Sequence, residues 1–200
     1  MKLFFATRNA GKLRELRDLV SSLFEIQSLD DFPDLPEVEE KEETFEGNAR
    51  LKALAGAKAT GMAALADDSG LCVDALGGRP GVRSARYALG PDHARIEKLL
   101  AAMADVPEPK RGAEFQCALC LALPDGSSVT ESGQCRGQIA RLPRGTHGFG
   151  YDPIFFLPEL GRTMAELAPR KKAQISHRGK AWGRMLPKLK FLSLSGKISR

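Results

Sequence analysis

Between Arg170 and Arg200 the chain has ten Lys or Arg and not one acid. Nowhere does it approach the roughly 20 consecutive apolar residues that a helix needs to cross a bilayer, which excludes a membrane-spanning helix. The missing acids leave the rest of the chain at net −5 beneath an overall +5, and residues 30–46 gather nine acids against one lysine. A basic C-terminal third suits nucleic acid, a membrane surface or a polyanionic small molecule, and charge alone does not choose among them. The opening MKLFFATRNAGK turns polar after Ala6 and is too short for a signal peptide, so a cytoplasmic location is expected. Cysteine is scarce, with only Cys72, Cys117, Cys120 and Cys135. No second Cys-x-x-Cys completes a zinc site, and no helix start follows Cys120 to make a redox motif. Cys117 and Cys120 lie in AEFQCALCLAL, which reads as a buried strand. Positions i and i+3 of a strand face opposite sides, so the thiols are expected to act as small buried hydrophobes.

Internal repeats and low-complexity segments are also lacking. What remains is the composition of an ordinary globular protein, 42% hydrophobic and 28% charged. Its 200 residues are enough for one domain, or for two lobes that share a sheet. KLFFA (2–6), FEIQSL (24–29) and MAALA (62–66) read as strands. Between them, Leu13, Leu16, Val20 and Leu23 recur at helical spacing, and the alanine-rich 44–61 suits a helix ended by Gly61. This alternation predicts helices packed on a sheet. A glycine- and arginine-rich connection (77–90) leads to a helix over 92–103. AEFQCALCLAL and SVTESGQCRGQIA, joined by PDGS, read as antiparallel strands. GFGYDPIFF joins a glycine turn to an apolar strand, and a last helix begins near Ser176. Pro187 is expected to kink or end that helix, because proline removes the bond to residue i−4. Residues 193–200 are then expected to be a frayed tail.

Four segments could carry chemistry. In TRNAGK (7–12) a short strand gives way to a helix start, where backbone N–H groups attract anions and Thr7, Asn9 and Lys12 add donors. It is not a P-loop, since Ala6 stands at the first glycine and Leu13 at the metal-binding hydroxyl. Asn9 could equally cap the helix and Lys12 sit in solvent. ALADDSGL (64–71) ends an apolar run on two adjacent aspartates. That is either a solvated turn after a strand or a catalytic or metal site at the strand's end, where open α/β sheets bind ligands. Asp67, Asp68 and the acids of 39–46 could share Mg²⁺, which needs only one or two carboxylates beside phosphate oxygens. GFGYD (148–152) could stack Phe149 on a base or anchor it in the core. Ser176 is a plausible N-cap, and the cations of His177 and Arg178 in the first turn oppose the helix dipole unless an anionic or carbonyl-bearing ligand meets them. Together these features describe a nucleoside triphosphate site.

The segments ATRNAGKLREL, TFEGNARLKA, ALADDSGLCVDALGGRPGVRSARYA, GFGYDPIFF and AQISHRGKA, in that order and at that spacing, resemble the inosine triphosphate or non-standard purine NTP pyrophosphatase family. The likeness spans nearly the whole chain. It implies an α/β fold with an elongated mixed β-sheet flanked by helices, and two lobes with a central substrate cleft in a single domain over 1–200. It also implies a homodimer and Mg²⁺-dependent hydrolysis of ITP, dITP and XTP to the monophosphate and pyrophosphate. By position, Thr7, Arg8, Asn9, Ala10, Gly11 and Lys12 match the phosphate-binding segment. Asp68 matches the catalytic acid and metal ligand, Ser69 a substrate contact and Glu40 the second metal acid. Phe149, Gly150, Tyr151, Asp152, Lys172, His177 and Arg178 match nucleoside-binding positions. On this reading Asp68 faces the metal, while Asp67 hydrogen-bonds the local backbone.

Two other classes compete with this enzyme. One is a nucleic-acid-binding protein using the basic C-terminal third, although few aromatics there could stack on bases. The other is a nucleotide-binding regulator that has lost turnover, against which the presence of both Asp68 and Lys12 argues. The partner expected is a small purine triphosphate, with no nucleic acid and no membrane.

Overall fold

The computed structural model describes residues 1–36 and 38–198, with side chains to Leu194. Seven strands form one sheet in the order β2-β1-β3-β4-β5-β6-β7. They are β1 (Lys2–Phe5), β2 (Glu25–Ser28), β3 (Ala64–Val73), β4 (Gly112–Ala122), β5 (Ser128–Ile139), β6 (Phe155–Leu157) and β7 (Arg162–Thr163). β1 pairs in parallel with β2 and β3, whereas β5, β6 and β7 pair antiparallel. The expected mixed α/β sheet is therefore observed. Helices α1 (Ala10–Val20), α2 (Phe45–Thr60), α3 (Asp92–Ala102), α4 (Pro169–Ile175) and α5 (His177–Ile198) complete the chain. Among the described residues no helix is long and apolar enough to cross a membrane.

The chain divides into two compact units, one made of 1–68, 118–132 and 181–200, the other of 69–117 and 133–180. In the first unit α1 buries Leu13, Leu16 and Val20, the stripe legible in the sequence. α2 buries Ala49, Ala53, Gly56 and Ala57. Small residues let it lie close, for a Cβ on Gly56 would come within 2.7 Å of the Phe4 ring. The second unit has its own core, with Leu71, Leu99, Phe115, Ile139, Tyr151 and Phe155 at its centre. Cys117, Cys120 and Cys135 are all buried, the first two as the small buried residues expected of that strand.

Three expectations change. β3 does not stop at Asp67 but runs through Asp68, Ser69 and Gly70 to Val73, so the aspartates lie within a strand, neither in a turn nor at a strand's end. The pleat turns their carboxylates to opposite faces, and each finds its own partner below. A short α4 precedes α5 in a segment the sequence left unassigned. Finally, α5 continues through Pro187 rather than ending near Leu186. Gly183, whose carbonyl loses its bond to Pro187, is exposed with open space about it, as is Pro187 itself, so water can take the freed acceptor. Of the tail, 193–198 is helical, and 199–200 lie outside the described residues.

Candidate active site

The first unit holds an acid–base cluster. Leaving β1, Thr7 is buried and its hydroxyl accepts the Asn9 N–H at 3.2 Å. Asn9 then caps α1, its Oδ1 accepting from the N–H groups of Gly11 at 2.9 Å and Lys12 at 3.1 Å. Arg8 is exposed and pairs with Asp30, and Ala10 is exposed at the start of α1. Lys12 does not stand in solvent. Its Nζ lies 2.9 Å from Asp67, whose carboxylate is 2% exposed. Asp67 is thus a counter-ion for Lys12, where the sequence suggested a backbone contact.

Asp68 projects to the other face, toward α2. Its Oδ2 accepts from Asn48 Nδ2 at 3.0 Å. Asn48, fully buried, also exchanges two hydrogen bonds with the Glu42 backbone, at 3.0 and 3.2 Å. It thereby ties the acidic loop 38–44 to the same helix. One turn on, Lys52 Nζ pairs with Glu40 at 2.6 Å. Burial pushes the Asp68 carboxyl up, Lys52 draws it down, Glu40 and Asp67 push it up again, and it settles at about 6. For Lys52, burial disfavours the ammonium, but the charges of Asp67, Asp68 and Glu40 outweigh it and raise its pKa above 10.5. Asn48 and Lys52 escaped the sequence reading, although both follow the buried stripe of α2 at helical spacing.

Among the described residues no three His, Cys, Asp or Glu side chains gather as a metal cage. A hard divalent cation such as Mg²⁺ does not need one, since one or two carboxylates with water and phosphate oxygens satisfy it. Asp68 and Glu40 fit that pattern, because the Glu40 carboxylate disfavours the ionised form of Asp68 and a cation would relieve it.

The second unit holds an aromatic–cationic cluster. Phe149 is 39% exposed, so it is not a core anchor. Two cations lie over its ring, Lys172 Nζ at 5.0 Å and the Arg178 guanidinium carbon at 5.2 Å from the centroid. Asp152, 3% exposed, organises this loop by accepting the Phe149 N–H at 2.9 Å and Lys172 Nζ at 2.5 Å. Arg178 is buried and donates to Ser69 Oγ at 3.0 Å. Ser176 caps α5 through the Gly179 N–H at 3.1 Å, as expected, and fixes the turn bearing both His177 and Arg178. His177 stacks on Phe115 with centroids 4.6 Å apart. Tyr151 goes elsewhere. Its ring is in the core and its hydroxyl donates to the Ser84 carbonyl at 2.9 Å. Gly150 has φ +63°, and Gly148 has φ +83°.

A side chain at Gly148 would combine that backbone strain with overlap, since its Cβ would meet Asp152 Oδ2 and crowd Lys172 Nζ. Gly148→Ala is expected to lower stability by about 1–3 kcal/mol. It should also scatter the Asp152–Lys172 pair beneath Phe149. Thermal unfolding reads the first effect, and limited proteolysis of the 148–152 loop reads the second.

Similarity to known proteins places the chain in a family. Residues 3–188 match the model of the Ham1 family. The "dITP/XTP pyrophosphatase" of Streptomyces avermitilis is 48% identical over 196 residues, covering 96% of this chain and 98% of that protein. Its counterpart in Geobacillus kaustophilus is 53% identical over 184 residues, covering 90% of each chain. Among solved structures, a HAM1 protein from Coxiella burnetii superposes with a TM-score of 0.88 at 41% identity, over 95% of this chain and 98% of that one. A nucleoside-triphosphatase from Mycobacterium abscessus, also called a dITP/XTP pyrophosphatase, gives 0.79 at 48% identity over 94% and 100%. With the family model matching residues 3–188 of the chain, and relatives this similar end to end, the chain belongs to the Ham1 family.

Proposed function

We propose that the protein hydrolyses non-standard purine nucleoside triphosphates, dITP, ITP and XTP, to the monophosphate and pyrophosphate. The observation that carries this reading is the Asp68 cluster, a buried carboxyl with a pKa of about 6 set among Asn48, Lys52 and Glu40. A base poised that close to neutrality can orient a water and accept its proton as it attacks the α-phosphorus. Charge then builds on the bridging oxygen and the departing pyrophosphate, and the ammonium groups of Lys12 and Lys52 are suited to meet it. The segment Thr7–Lys12 supplies further donors. Mg²⁺ held by Asp68 and Glu40 would neutralise phosphate charge and lower the pKa of a bound water.

The second cluster, taken by itself, suits a purine base. Phe149 offers a stacking face, Lys172 and Arg178 lie over its ring, Ser69 accepts from Arg178, and His177 stands next to Arg178 in the first turn of α5. Arg178 can donate to a 6-oxo group but would meet adenine's 6-amino group donor to donor. Mismatches of that kind discriminate by about 10⁴. A cytoplasmic homodimer in which residues 1–200 work as one catalytic domain completes the proposal.

The deciding experiment measures pyrophosphate and phosphate separately from ITP with Mg²⁺, with ATP and GTP in parallel. Pyrophosphate release from ITP, with ATP spared, is expected. Orthophosphate as the product would refute attack at the α-phosphorus. Steeply salt-dependent duplex binding without ITP turnover would favour the nucleic-acid reading instead.

A further inference from the structure

The glycine- and arginine-rich connection 77–90 and the start of α3 have no part in the function above, yet they hold the loop that presents Phe149. Residues Gly81–Arg86 coil into a 3-10 turn around the buried Ser84. The Ser84 hydroxyl accepts the Leu71 N–H at 2.8 Å and donates to the Gly81 carbonyl at 2.6 Å, which fixes the turn to β3. Its own carbonyl takes the Tyr151 hydroxyl at 2.9 Å. A few residues later Asp92 opens α3, where the helix dipole favours an acid. One Asp92 oxygen accepts the Gly150 N–H at 2.5 Å. The other pairs with Arg95, whose guanidinium also holds the carbonyls of Ala85 at 3.1 Å and Gly90 at 3.2 Å. Gly150 and Tyr151, the two residues after Phe149, are thus both fastened to this connection. Asp152, the third, secures the Phe149 N–H itself.

We infer that Ser84 and Asp92 are positioning residues for the nucleobase, setting the plane of Phe149 through Tyr151 and Gly150 without touching substrate. The inference rests on the assignment of Phe149 to the base in the proposed function. It makes Tyr151 a strut in the core rather than a substrate contact. A ring held in its stacking plane before binding saves the ligand the cost of ordering the loop, so loosening it should raise KM more than it lowers kcat.

Asp92→Ala and Tyr151→Phe test this, with Asp92→Asn as the conservative control because its amide oxygen can still accept the Gly150 N–H. For Asp92→Ala the KM for ITP should rise about tenfold, the worth of one hydrogen bond to a charged group. Its kcat should stay within about twofold, and inhibition by inorganic tripolyphosphate, which lacks a base, should not change. Tyr151→Phe should shift KM in the same sense, and Asp92→Asn should restore most of it. A purely structural role would lower the melting temperature and the active fraction while leaving KM in place, and that result overturns the inference. So does an equal loss of tripolyphosphate and ITP affinity. Wild-type protein that releases no pyrophosphate from ITP overturns the parent reading and this one together, whereas active wild type beside variants of unchanged KM overturns this one alone.

Discussion

Asp68→Asn should abolish pyrophosphate release, by about 10²-fold or more, and at the same time make the protein harder to melt. The first effect follows from removing both a general base, worth about 10²–10⁴ in rate, and a candidate metal ligand. The second follows from the raised pKa. Asp68 is 6% exposed and its carboxyl is shifted from 3.8 to about 6, so the folded protein holds this proton more tightly than the unfolded chain does. The sign is therefore unfavourable at neutral pH. The ionised group weakens the fold above pH 6, by up to about 3 kcal/mol for a shift of this size, and the penalty vanishes below pH 4, where both states are protonated. An asparagine keeps an acceptor for Asn48 Nδ2 and carries no charge. At pH 7.5 its melting temperature should exceed wild type by several degrees, since about 1 kcal/mol moves a chain of this size by about 2–4 °C. The gap should close as pH falls toward 4. Differential scanning calorimetry across that range, beside the pyrophosphate assay, checks both halves. A variant that is inactive and also less stable at pH 7.5 would show that the carboxylate is structural.

Arg178→Ala should collapse the proposed preference for ITP over ATP. The guanidinium is 6% exposed, donates to Ser69 Oγ at 3.0 Å and lies 5.2 Å from the Phe149 centroid, so it is fixed before any base arrives. Its loss should lower kcat/KM for ITP by about 10²–10³-fold, the cost of leaving a polar group of a selective site unmatched. ATP, which gains nothing from this donor, should change little. Arg178→Lys is not expected to rescue, because an ammonium lacks the planar fork that can meet Ser69 and a base together. Ratios of kcat/KM for ITP, XTP and ATP measure the effect. An unchanged ratio would mean that the base is read elsewhere.

Four of the five helices, most strands and several residues of each cluster were legible in the sequence because their signals are local. The apolar stripes of α1 and α3, the N-caps at Asn9 and Ser176, and the hairpin around residues 124–127 each declare themselves within a few residues. β3 did not. Asp67-Asp68-Ser69-Gly70 has the composition of a turn, and it stays extended because Lys12, 55 residues away, and Asn48, 20 residues away, satisfy the two charges. α4 was obscured by its length, since Pro169–Ile175 offers only two turns of pattern. Asn48 and Lys52 could have been found. They follow Phe45 and flank Ala49 and Ala53 on the face of α2 that must be buried, and a polar residue there implies a buried partner. Tyr151 could not, because a tyrosine in GFGYD reads equally as ligand contact or core until Ser84 is placed beneath it.

The pleat of β3 also sets a rule for how this protein can vary. Asp67 and Asp68 serve opposite faces, so deleting or inserting one residue between Ala64 and Asp67 would hand each carboxylate the other's surroundings. Hairpin 124–127 can change length without moving Asp67 or Asp68. In the strand, even a single-codon indel should be lethal to turnover while leaving composition, hydropathy and fold class almost untouched.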